Sequence, residues 1–497
     1  MFNKCSNTIA SGSFSMKKGR ALAGPVLRLT IFLIGLLAVG AAGAQPLLYP
    51  DYSIIGEDLD GADHIYGDAF GAGADSWEDW LFVGTPRETT FRDGFDQQDG
   101  AVYIYRKIAG TYLFQQKLTR PGNSGLGMGV DPYGDRFGSG IEAADGWLFV
   151  GAVNDQNFPG LIDPRQGVIH PDDPSFQFAG QVHVYKFNDS TWGYVQTLIA
   201  PAPGSNGGFG SRTQASHITL SSNGKVAVIG EFKNFIGGVG QLHTYRLKKG
   251  SWQYVQHIDA PLAEIDTFGT DLVFASNNYL VAGATDMSDD GLTEQGYIHV
   301  YKKIKGNSGK FSAAPEQTIA GPVVAVADCG VAHGFSQDGL DAAGNVVVVA
   351  NPCVSGTAGA FAGVVSVYRL SGRDTPLKLE ERIEGDEANL YFGSNWWGSR
   401  NAVAVSDSGE RILIGSPRSP TGSIDDGADV RVYVGGPGGW MEESFLSTPT
   451  PAAGDFRIFG DTVFFADDET AFVRENNFFS PIVTGLKGQG FFYDLTP

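Results

Sequence analysis

A motif that recurs along most of the chain constrains the fold more than any other feature. Each copy starts with Phe-Gly, continues with a short apolar run ending in Gly, and then reads Gly-x-Val-x-Val-Tyr and Trp/Tyr-x-x-x-Gln-x-Leu. The first copy contains Phe70-Gly71, Trp80 to Gly84 and Gly100 to Tyr105. Further copies start at Phe137, Phe209, Phe268, Cys329, Phe392 and Phe459, with Cys329-Gly330 in place of the fifth Phe-Gly. A motif that recurs in this way along a chain indicates a solenoid, a propeller or an array of repeats.

The runs within each copy have the character of β-strands. They are short, apolar or alternating, and they are separated by turns of Gly, Asn, Asp and Ser. Four-stranded units arranged around an axis form a β-propeller. The sequence therefore predicts an all-β fold, a seven-bladed β-propeller with four-stranded antiparallel blades. The predicted blades are approximately 62–120, 130–200, 205–260, 264–320, 325–385, 388–447 and 455–497.

The seventh copy lacks a fourth strand. Its third strand closes with Tyr493, four residues before the last residue of the sequence. The segment 47–56, ahead of the first Phe-Gly, has the apolar character of a spare strand. We expect this segment to complete the last blade and close the ring, because closure removes exposed sheet edges.

Residues 1–44 have the pattern of a secretory signal peptide. A basic start is followed by the apolar run Leu29 to Val39 and by Ala42-Gly43-Ala44. The alternative is a membrane anchor, for which the run is short. Cleavage near Ala44 would remove five basic residues and no acid, taking the net charge from −20 to −25. We expect a secreted or periplasmic monomer with a single domain over 45–497 and no membrane span after signal removal. Its net negative charge argues against binding to nucleic acid.

The mature chain keeps two of the three cysteines, Cys329 and Cys353. They lie 24 residues apart in one repeat, on strands expected to be adjacent. An exported protein can keep a disulfide, which we predict between them. The alternative is two free buried thiols.

These motifs resemble the bacterial FG-GAP repeat, which is similar to the repeat of integrin α-subunit propellers. The resemblance covers residues 47–497, and it is strong in the first four copies and weaker in the fifth and seventh. It implies an extracytoplasmic protein of a mostly non-enzymatic class whose members bind proteins or glycans. It does not name a ligand.

Integrin-type repeats carry Asp-x-Asp-x-Asp-Gly loops that bind Ca²⁺, and this chain departs from that pattern. The corresponding turns are short, as in Ala144-Asp145-Gly146 and Ser222-Asn223-Gly224. None supplies three spaced carboxylates, whereas Ca²⁺ takes six to eight oxygen ligands. We therefore predict no cofactor, and leave open one incidental Ca²⁺ at acidic clusters elsewhere. The alternative is solvated loop acids. These clusters are Asp93, Asp96 and Asp99, and Asp286, Asp289 and Asp290.

The long connections between the second and third strands identify a candidate binding face, since loops on a rigid scaffold often carry function. The longest connection, 152–179, contains Phe158, Phe176 and Phe178. It is interpreted either as a flap over the axis or as a packed decoration. The pair Trp396-Trp397 would suit sugar stacking or a protein contact if exposed, and blade packing if buried.

No sequence motif for catalysis stands out. His183, His243 and His299 occupy the same place in three different copies, so we interpret them as packing or hydrogen-bonding residues. The predicted function is an exported, non-enzymatic module that binds a protein or glycan through the long loops. The alternatives are an envelope or matrix scaffold, and a hydrolase or lyase with its site on the central axis. Inward-facing ionisable residues with perturbed pKa would favour the enzyme.

Overall fold

The strands of the protein are seen in a computed structural model. The structure describes residues 47–48, 51–55, 69–88, 90–92, 95–97, 99–121, 134–153, 179–203, 207–212, 215–231, 240–261, 267–269, 271–287, 293–306, 308–325, 335–336, 339–371, 375–394, 402–416, 429–447, 458–476 and 489–496. Within these ranges the regular elements are β-strands, and none of the residues lies in a helix. The described ranges thus hold no helix that could cross a membrane.

Seven sheets of four antiparallel strands follow one another along the chain, which confirms the predicted fold. Blade 1 consists of β3 (Gly73–Trp77), β4 (Trp80–Thr85), β7 (Ala101–Ile108) and β8 (Thr111–Leu118). Blade 2 consists of β9 (Phe137–Ala144), β10 (Trp147–Ala152), β11 (Gln181–Asn188) and β12 (Thr191–Leu198). Blade 3 consists of β15 (Ile218–Leu220), β16 (Val226–Glu231), β17 (Gln241–Lys248) and β18 (Ser251–Asp259). Blade 4 consists of β19 (Leu272–Ala275), β20 (Tyr279–Met287), β21 (Thr293–Lys302) and β22 (Gln317–Ala325).

The remaining blades repeat the same order. Blade 5 consists of β23 (Leu340–Ala343), β24 (Val346–Asn351), β25 (Val364–Ser371) and β26 (Thr375–Glu384). Blade 6 consists of β27 (Val403–Val405), β28 (Arg411–Ser416), β29 (Asp429–Gly436) and β30 (Gly439–Ser447). Blade 7 consists of β31 (Ile458–Asp467), β32 (Thr470–Asn476), β33 (Gln489–Asp494) and β2 (Tyr52–Ile55). Short hairpins outside the blades are β5 (Thr90–Arg92) with β6 (Phe95–Gln97), and β13 (Ser211–Arg212) with β14 (Ala215–Ser216).

An N-terminal strand closes the ring, as predicted. Strand β2 pairs antiparallel with β33, from Tyr52 opposite Phe492 to Ile55 opposite Gln489. The predicted single strand 47–56 is two strands in the structure. The first, β1 (Leu47–Leu48), pairs parallel with β30 at the outer edge of blade 6. The N-terminal segment therefore contacts two neighbouring blades.

The geometry of the repeat explains its Phe-Gly pair. Phe70 is fully buried, and the N–H of Gly71 donates to the carbonyl of Gly84 at 2.9 Å. Gly71 has φ +79°, in the region that favours glycine. A Cβ on Gly84 would lie 2.1 Å from the carbonyl oxygen of Gly138 in the next blade. The second glycine is thus required for the close approach of neighbouring blades.

The fifth Phe-Gly position is occupied by Phe335-Ser336, and not by Cys329-Gly330 as the sequence suggested. Ser336 has φ +74°, and its N–H donates to the carbonyl of Ala350 at 3.2 Å, as Gly71 does to Gly84. Its hydroxyl also donates to the carbonyl of Tyr297 at 2.9 Å. The sequence analysis missed this copy of the motif because a serine, and not a glycine, adopts the left-handed conformation here.

The glutamine of Trp/Tyr-x-x-x-Gln-x-Leu joins the outer strands of neighbouring blades. The Gln196 side chain in blade 2 donates to the carbonyl of Trp252 at 3.1 Å and accepts from its N–H at 2.8 Å. Gln116 binds both backbone groups of Trp192 in the same way. This residue therefore satisfies polar groups that the outer edge of the next sheet leaves unpaired.

Aromatic side chains fill the space between blades 1 and 2. Trp192 makes edge contacts with Phe82 and Trp80, at ring-centroid distances of 4.9 and 6.1 Å. The histidines of the third strands belong to similar layers, with His183 5.6 Å from Phe137. His183 and His299 also hydrogen-bond threonine hydroxyls at 2.9 Å, which confirms their interpretation as packing and hydrogen-bonding residues.

Blade 7 meets blade 1 through a buried arginine. Arg474 occupies the place that Gly84 has in blade 1, and its side chain is fully buried. Its Nε donates to the carbonyl of Phe70 at 2.9 Å, and its Nη1 lies 3.2 Å from the Asp461 carboxylate. A charged side chain thus joins the two ends of the ring where a close glycine contact joins other blades.

Replacing Gln196 by alanine tests the contact between outer strands. The change removes two hydrogen bonds and leaves backbone groups of Trp252 unpaired, so we expect a loss of roughly 1–3 kcal/mol in the free energy of unfolding. Denaturant titration measures it. Gln115→Ala is the matched control, because Gln115 is exposed and donates only to carbonyls beside it, and this variant should unfold like the wild type. Equal stability of both variants would contradict the role given to Gln196.

Deleting residues 45–55 tests ring closure. The loss of four paired residues on β33 and of the packing of Ile54 should cost roughly 4 kcal/mol or more. A shorter deletion of 45–48, which removes only β1, is the control. If both deletion variants melted at the temperature of the intact chain, closure by β2 would not be a source of stability.

Candidate functional site

A channel of about 690 Å³ follows the axis of the ring and is lined by the inner strands of all seven blades. It extends to the turns between the first and second strands, where Glu78, Asp145 and Asn277 belong to its wall. Because strands alternate in direction, these turns lie on the face opposite to the long loops between second and third strands. The described cavity therefore reaches the face that the sequence analysis did not select.

Three carboxyl groups occupy the same register in three inner strands. Asp75 pairs with Phe82, Glu142 with Phe149, and Asp341 with Val348, each at the third position of the second strand. All three are half-buried and line the channel. Each lies three residues before a residue of its turn with positive φ, namely Glu78, Asp145 and Gly344.

Each carboxyl group accepts an N–H from the inner strand of the following blade. The Asp75 carboxylate accepts from Ala143 N–H at 2.6 Å. Glu142 accepts from Leu220 N–H at 3.0 Å, and Asp341 from Val405 N–H at 2.7 Å. An inner strand is the edge of its sheet, so these acids satisfy edge donors.

Withdrawal from water makes these groups hard to ionise. Burial raises the pKa of Asp75 from 3.8 to about 7, against the effect of its N–H donors, and the charges of Asp407 and Asp341 raise it further. Burial likewise raises the pKa of Asp341 to about 6. Burial first, and the Asp75 charge second, raise the pKa of Glu142 well above its ordinary value. At neutral pH the channel is therefore poised to gain or lose protons.

The rest of this level of the wall is mostly apolar. The positions equivalent to Asp75 in the other four blades are Thr219, Val273, Ala404 and Phe464. Phe464 is half-buried and contacts Phe472 at a centroid distance of 4.6 Å. The described lining residues include no Lys, Arg or His. The channel thus combines carboxyl groups with hydrocarbon surface.

Polar contacts between blades surround the mouth of the channel. Lys225 in blade 3 lies 3.0 Å from the Asp145 carboxylate in blade 2, and both side chains are exposed. The Asn277 amide donates to the Ser222 hydroxyl at 2.8 Å, linking blades 3 and 4. These contacts fix the turns around the opening.

The aromatic residues predicted for the binding face lie outside the described residues. They are Phe158, Phe176, Phe178, Trp396 and Trp397. The structure describes the connection 351–362 between the second and third strands of blade 5, in which Phe361 stacks on Tyr391 at 5.6 Å. Recognition of a partner by the long-loop face stays a prediction.

The predicted cation clusters are only partly described. Asp93, Asp289 and Asp290 lie outside the described residues, and only the backbones of Asp96 and Asp286 lie within them. Asp99 is buried between blades 1 and 2, where its carbonyl accepts from Phe137 N–H at 2.8 Å. Among the side chains that the structure describes, no three His, Cys, Asp or Glu are grouped to hold a metal ion.

The structure describes only one cysteine of the predicted disulfide. Cys353 is buried and disulfide-bonded. Cys329 lies outside the described residues, as does the proposed signal peptide, 1–44. The pairing of Cys353 with Cys329 and the export of the chain stay predictions.

Sequence reasoning missed the channel acids. It considered the turns as calcium loops, and Asp75, Glu142 and Asp341 stand just before those turns, inside the inner strands. A signal was present, because each is an acid flanked by apolar or small residues at an equal distance from its turn. Aligning the seven repeats on their turns would have brought the three acids into one column.

Comparison with known proteins gives a likeness of fold. No protein-family model matches the chain, and no curated protein matches it. A putative 6-phosphogluconolactonase from Bacteroides fragilis is 11% identical with a TM-score of 0.42, over 78% of this chain and 88% of that chain. The periplasmic gluconolactonase of Pseudomonas aeruginosa is 12% identical with a TM-score of 0.32, over 70% and 91%. The acylaminoacyl peptidase of Pyrococcus horikoshii is 12% identical with a TM-score of 0.37. That match covers 67% of this chain but only 42% of the peptidase.

The prediction that the chain is not an enzyme is wrong, because it took a propeller of this kind to be non-enzymatic. The solved structures it resembles include proteins named as lactonases and a peptidase. Their names belong to those proteins, and the likeness assigns no activity here. Function depends on the site and not on the fold, so the lack of a catalytic sequence motif does not exclude an activity.

Replacing Asp75 by asparagine tests the protonation of the channel. A carboxyl group with a raised pKa stabilises the fold fully below its unfolded value near 3.8, and that contribution is lost as pH rises through about 7. Asparagine keeps an acceptor for Ala143 and removes the charge. It loses the acceptor for Ser76 N–H, a cost that does not vary with pH. We expect the variant to gain roughly 1–3 kcal/mol relative to wild type between about pH 4 and pH 8. Denaturant titration across this range measures the gain, and a difference that does not change with pH would contradict the shifted pKa.

Proposed function

We propose that the protein binds a small ligand in its axial channel. The observation that carries this proposal is a cavity of about 690 Å³ into which three blades direct carboxyl groups of equivalent register. Ligand sites in proteins commonly have volumes of about 300–1,000 Å³, and combine apolar walls with a few polar groups. The carboxyl groups, with Phe464 and Val273 on other parts of the wall, fit that description.

The rigidity of the site supports the proposal. Asp75, Glu142 and Asp341 are each fixed by a hydrogen bond to the next blade. A ligand would therefore meet groups that are already oriented, which lowers the ordering cost of binding.

Acid–base chemistry at this site is the second candidate function. Its support is that Asp75 and Asp341 have pKa values of about 7 and 6, close to the pH at which a general acid or base works best. This is the axial-site alternative of the sequence analysis. Hydrolytic activity towards ester, lactone or glycoside substrates, lost in Asp75→Asn and Asp341→Asn, would establish it.

We also propose that the repeats belong to the FG-GAP class. Support comes from the recurring pair of a fully buried Phe and a Gly with positive φ, as at Phe209-Gly210 and Phe268-Gly269. This proposal concerns ancestry, and it adds nothing to the assignment of a ligand.

Filling the channel tests its role. Ala342 is half-buried and lines the channel, so Ala342→Phe should narrow it. We expect a library of neutral, anionic and cationic compounds to contain some that raise the melting temperature of the wild type and lose that effect in the variant. Ala314→Phe, at an exposed position outside the lining, should respond like the wild type. Compounds that stabilise all three proteins equally would place binding elsewhere.

A further inference from the structure

We propose that the axial channel takes an aliphatic amine with two or more positive charges, a ligand of the polyamine class. This inference rests on the proposed function and names the chemistry of the ligand. It depends on the charge of the wall, on a buried hydroxyl group without a partner, and on the distribution of polar and apolar surface around the axis.

The wall is acidic, and its described residues carry no compensating positive charge. The carboxyl groups that line it are Asp75, Glu78, Glu142, Asp145, Asp271, Asp341 and Asp407. Lys, Arg and His are missing from the described part of the lining. Near the mouth, Lys225 is engaged by Asp145 and Lys107 by Asp467, at 3.0 and 2.5 Å. A cation entering the channel would therefore supply the charge that the inner acids lack.

Thr462 provides an independent indication of a ligand. It lines the channel and is 3% exposed, and its Oγ1 makes no hydrogen bond to any residue that the structure describes. A buried hydroxyl group without a partner costs free energy, so a water molecule or a bound group that completes it is expected. Thr462 belongs to blade 7, in which the position equivalent to Asp75 is occupied by the apolar Phe464. An ammonium group can donate to this hydroxyl oxygen.

The distribution of the acids indicates more than one positive centre. Asp75 and Glu142 stand on adjacent blades 1 and 2, whereas Asp341 and Asp407 stand on blades 5 and 6. Val273, Ala404 and Phe464 provide hydrocarbon surface on other parts of the wall. Charged ends joined by methylene groups match this pattern. A metal ion matches it less well, since no metal-binding group of three is found among the side chains described.

The carboxyl groups keep the capacity to bind an ammonium group. A carboxylate has about four lone-pair sites. Asp75 uses one at each oxygen, for Ser76 N–H at 2.8 Å and Ala143 N–H at 2.6 Å. Glu142 accepts from Leu220 N–H and the Thr219 hydroxyl through a single oxygen. Backbone contacts thus orient these acids and leave acceptor sites for a ligand.

Binding of a polycation should release protons near neutral pH. The groups that face the acids are other carboxyls, with Asp467 and Asp468 close to Asp407 at the mouth. A bound cation favours the ionised form of every one of them, so affinity should increase as pH rises from about 6 to about 8. A neutral ligand of the same length would show no such dependence.

Calorimetric titration of the protein tests the proposal. The probes are spermidine, the neutral 1,8-octanediol and CaCl₂ alone, in two buffers of different ionisation enthalpy. The variants are Glu142→Gln and Asp341→Asn, which keep an acceptor oxygen for the backbone and lose the charge. Asp189→Asn is the control, because Asp189 is an exposed acid in a turn with φ +52°, a conformation that asparagine tolerates.

We expect one spermidine per chain, proton release on binding, and affinity weakened ~10-fold or more in Glu142→Gln and Asp341→Asn but unchanged in Asp189→Asn. The proposal is overturned if spermidine does not bind, or if all three variants weaken it equally, which indicates diffuse attraction to an acidic surface. Binding of CaCl₂ in preference to spermidine would also overturn it.

If octanediol alone binds and Ala342→Phe abolishes that binding, the channel remains a ligand site and only the charge assignment fails. If Ala342→Phe changes the binding of no compound, the proposed function fails as well.

Discussion

Neighbouring blades satisfy polar groups that a single sheet leaves unpaired, and the rest of the structure depends on these contacts. At the rim, Gln196 binds both backbone groups of Trp252 in the next blade. At the axis, Asp75 accepts the N–H of Ala143 across the same kind of boundary. Between these radii, aromatic side chains exclude water. A ring of seven sheets can therefore be stable although each blade alone has two open edges.

The axial contacts give the ring a property that the rim contacts do not. Glutamine satisfies an edge without adding charge, whereas Asp75, Glu142 and Asp341 bring ionisable groups into a narrow channel. Burial then raises their pKa values, and ionising one group makes it harder to ionise the next. The same hydrogen bonds that hold neighbouring blades together also fix the orientation of the acids. Structure and proposed function are thus carried by the same side chains.

Much of the fold could be predicted because its causes are local and repeated. The buried Phe and the glycine with positive φ recur at a regular interval, and the spare strand ahead of Phe70 matches a blade without a fourth strand. The fifth motif was missed because Ser336 adopts a conformation typical of glycine. The division of the N-terminal segment between blades 6 and 7 depends on tertiary pairing, which no local pattern encodes.

The candidate site was harder to predict because it arises from positions far apart in sequence. Asp75 and Asp341 are separated by 266 residues, and only the closed ring brings them to one channel. Their shifted pKa values come from burial, which composition cannot reveal. The long loops drew attention by their length and aromatic content, which are visible in the sequence. Equivalent positions across the repeats carry the information that single segments lack.

The protonation state of the channel acids is the central physical claim. Carbon-13 NMR of protein labelled at its Asp and Glu carboxyl carbons measures it directly, with Asp75→Asn, Glu142→Gln and Asp341→Asn assigning the resonances. The account predicts that the Asp75 and Asp341 resonances titrate at about pH 7 and about pH 6, and that the Glu142 resonance titrates well above the ordinary range of a glutamate. Spermidine should move all three midpoints to lower pH. Titration of all three below about pH 5, with no response to spermidine, would show ordinary solvated carboxylates and would contradict the account.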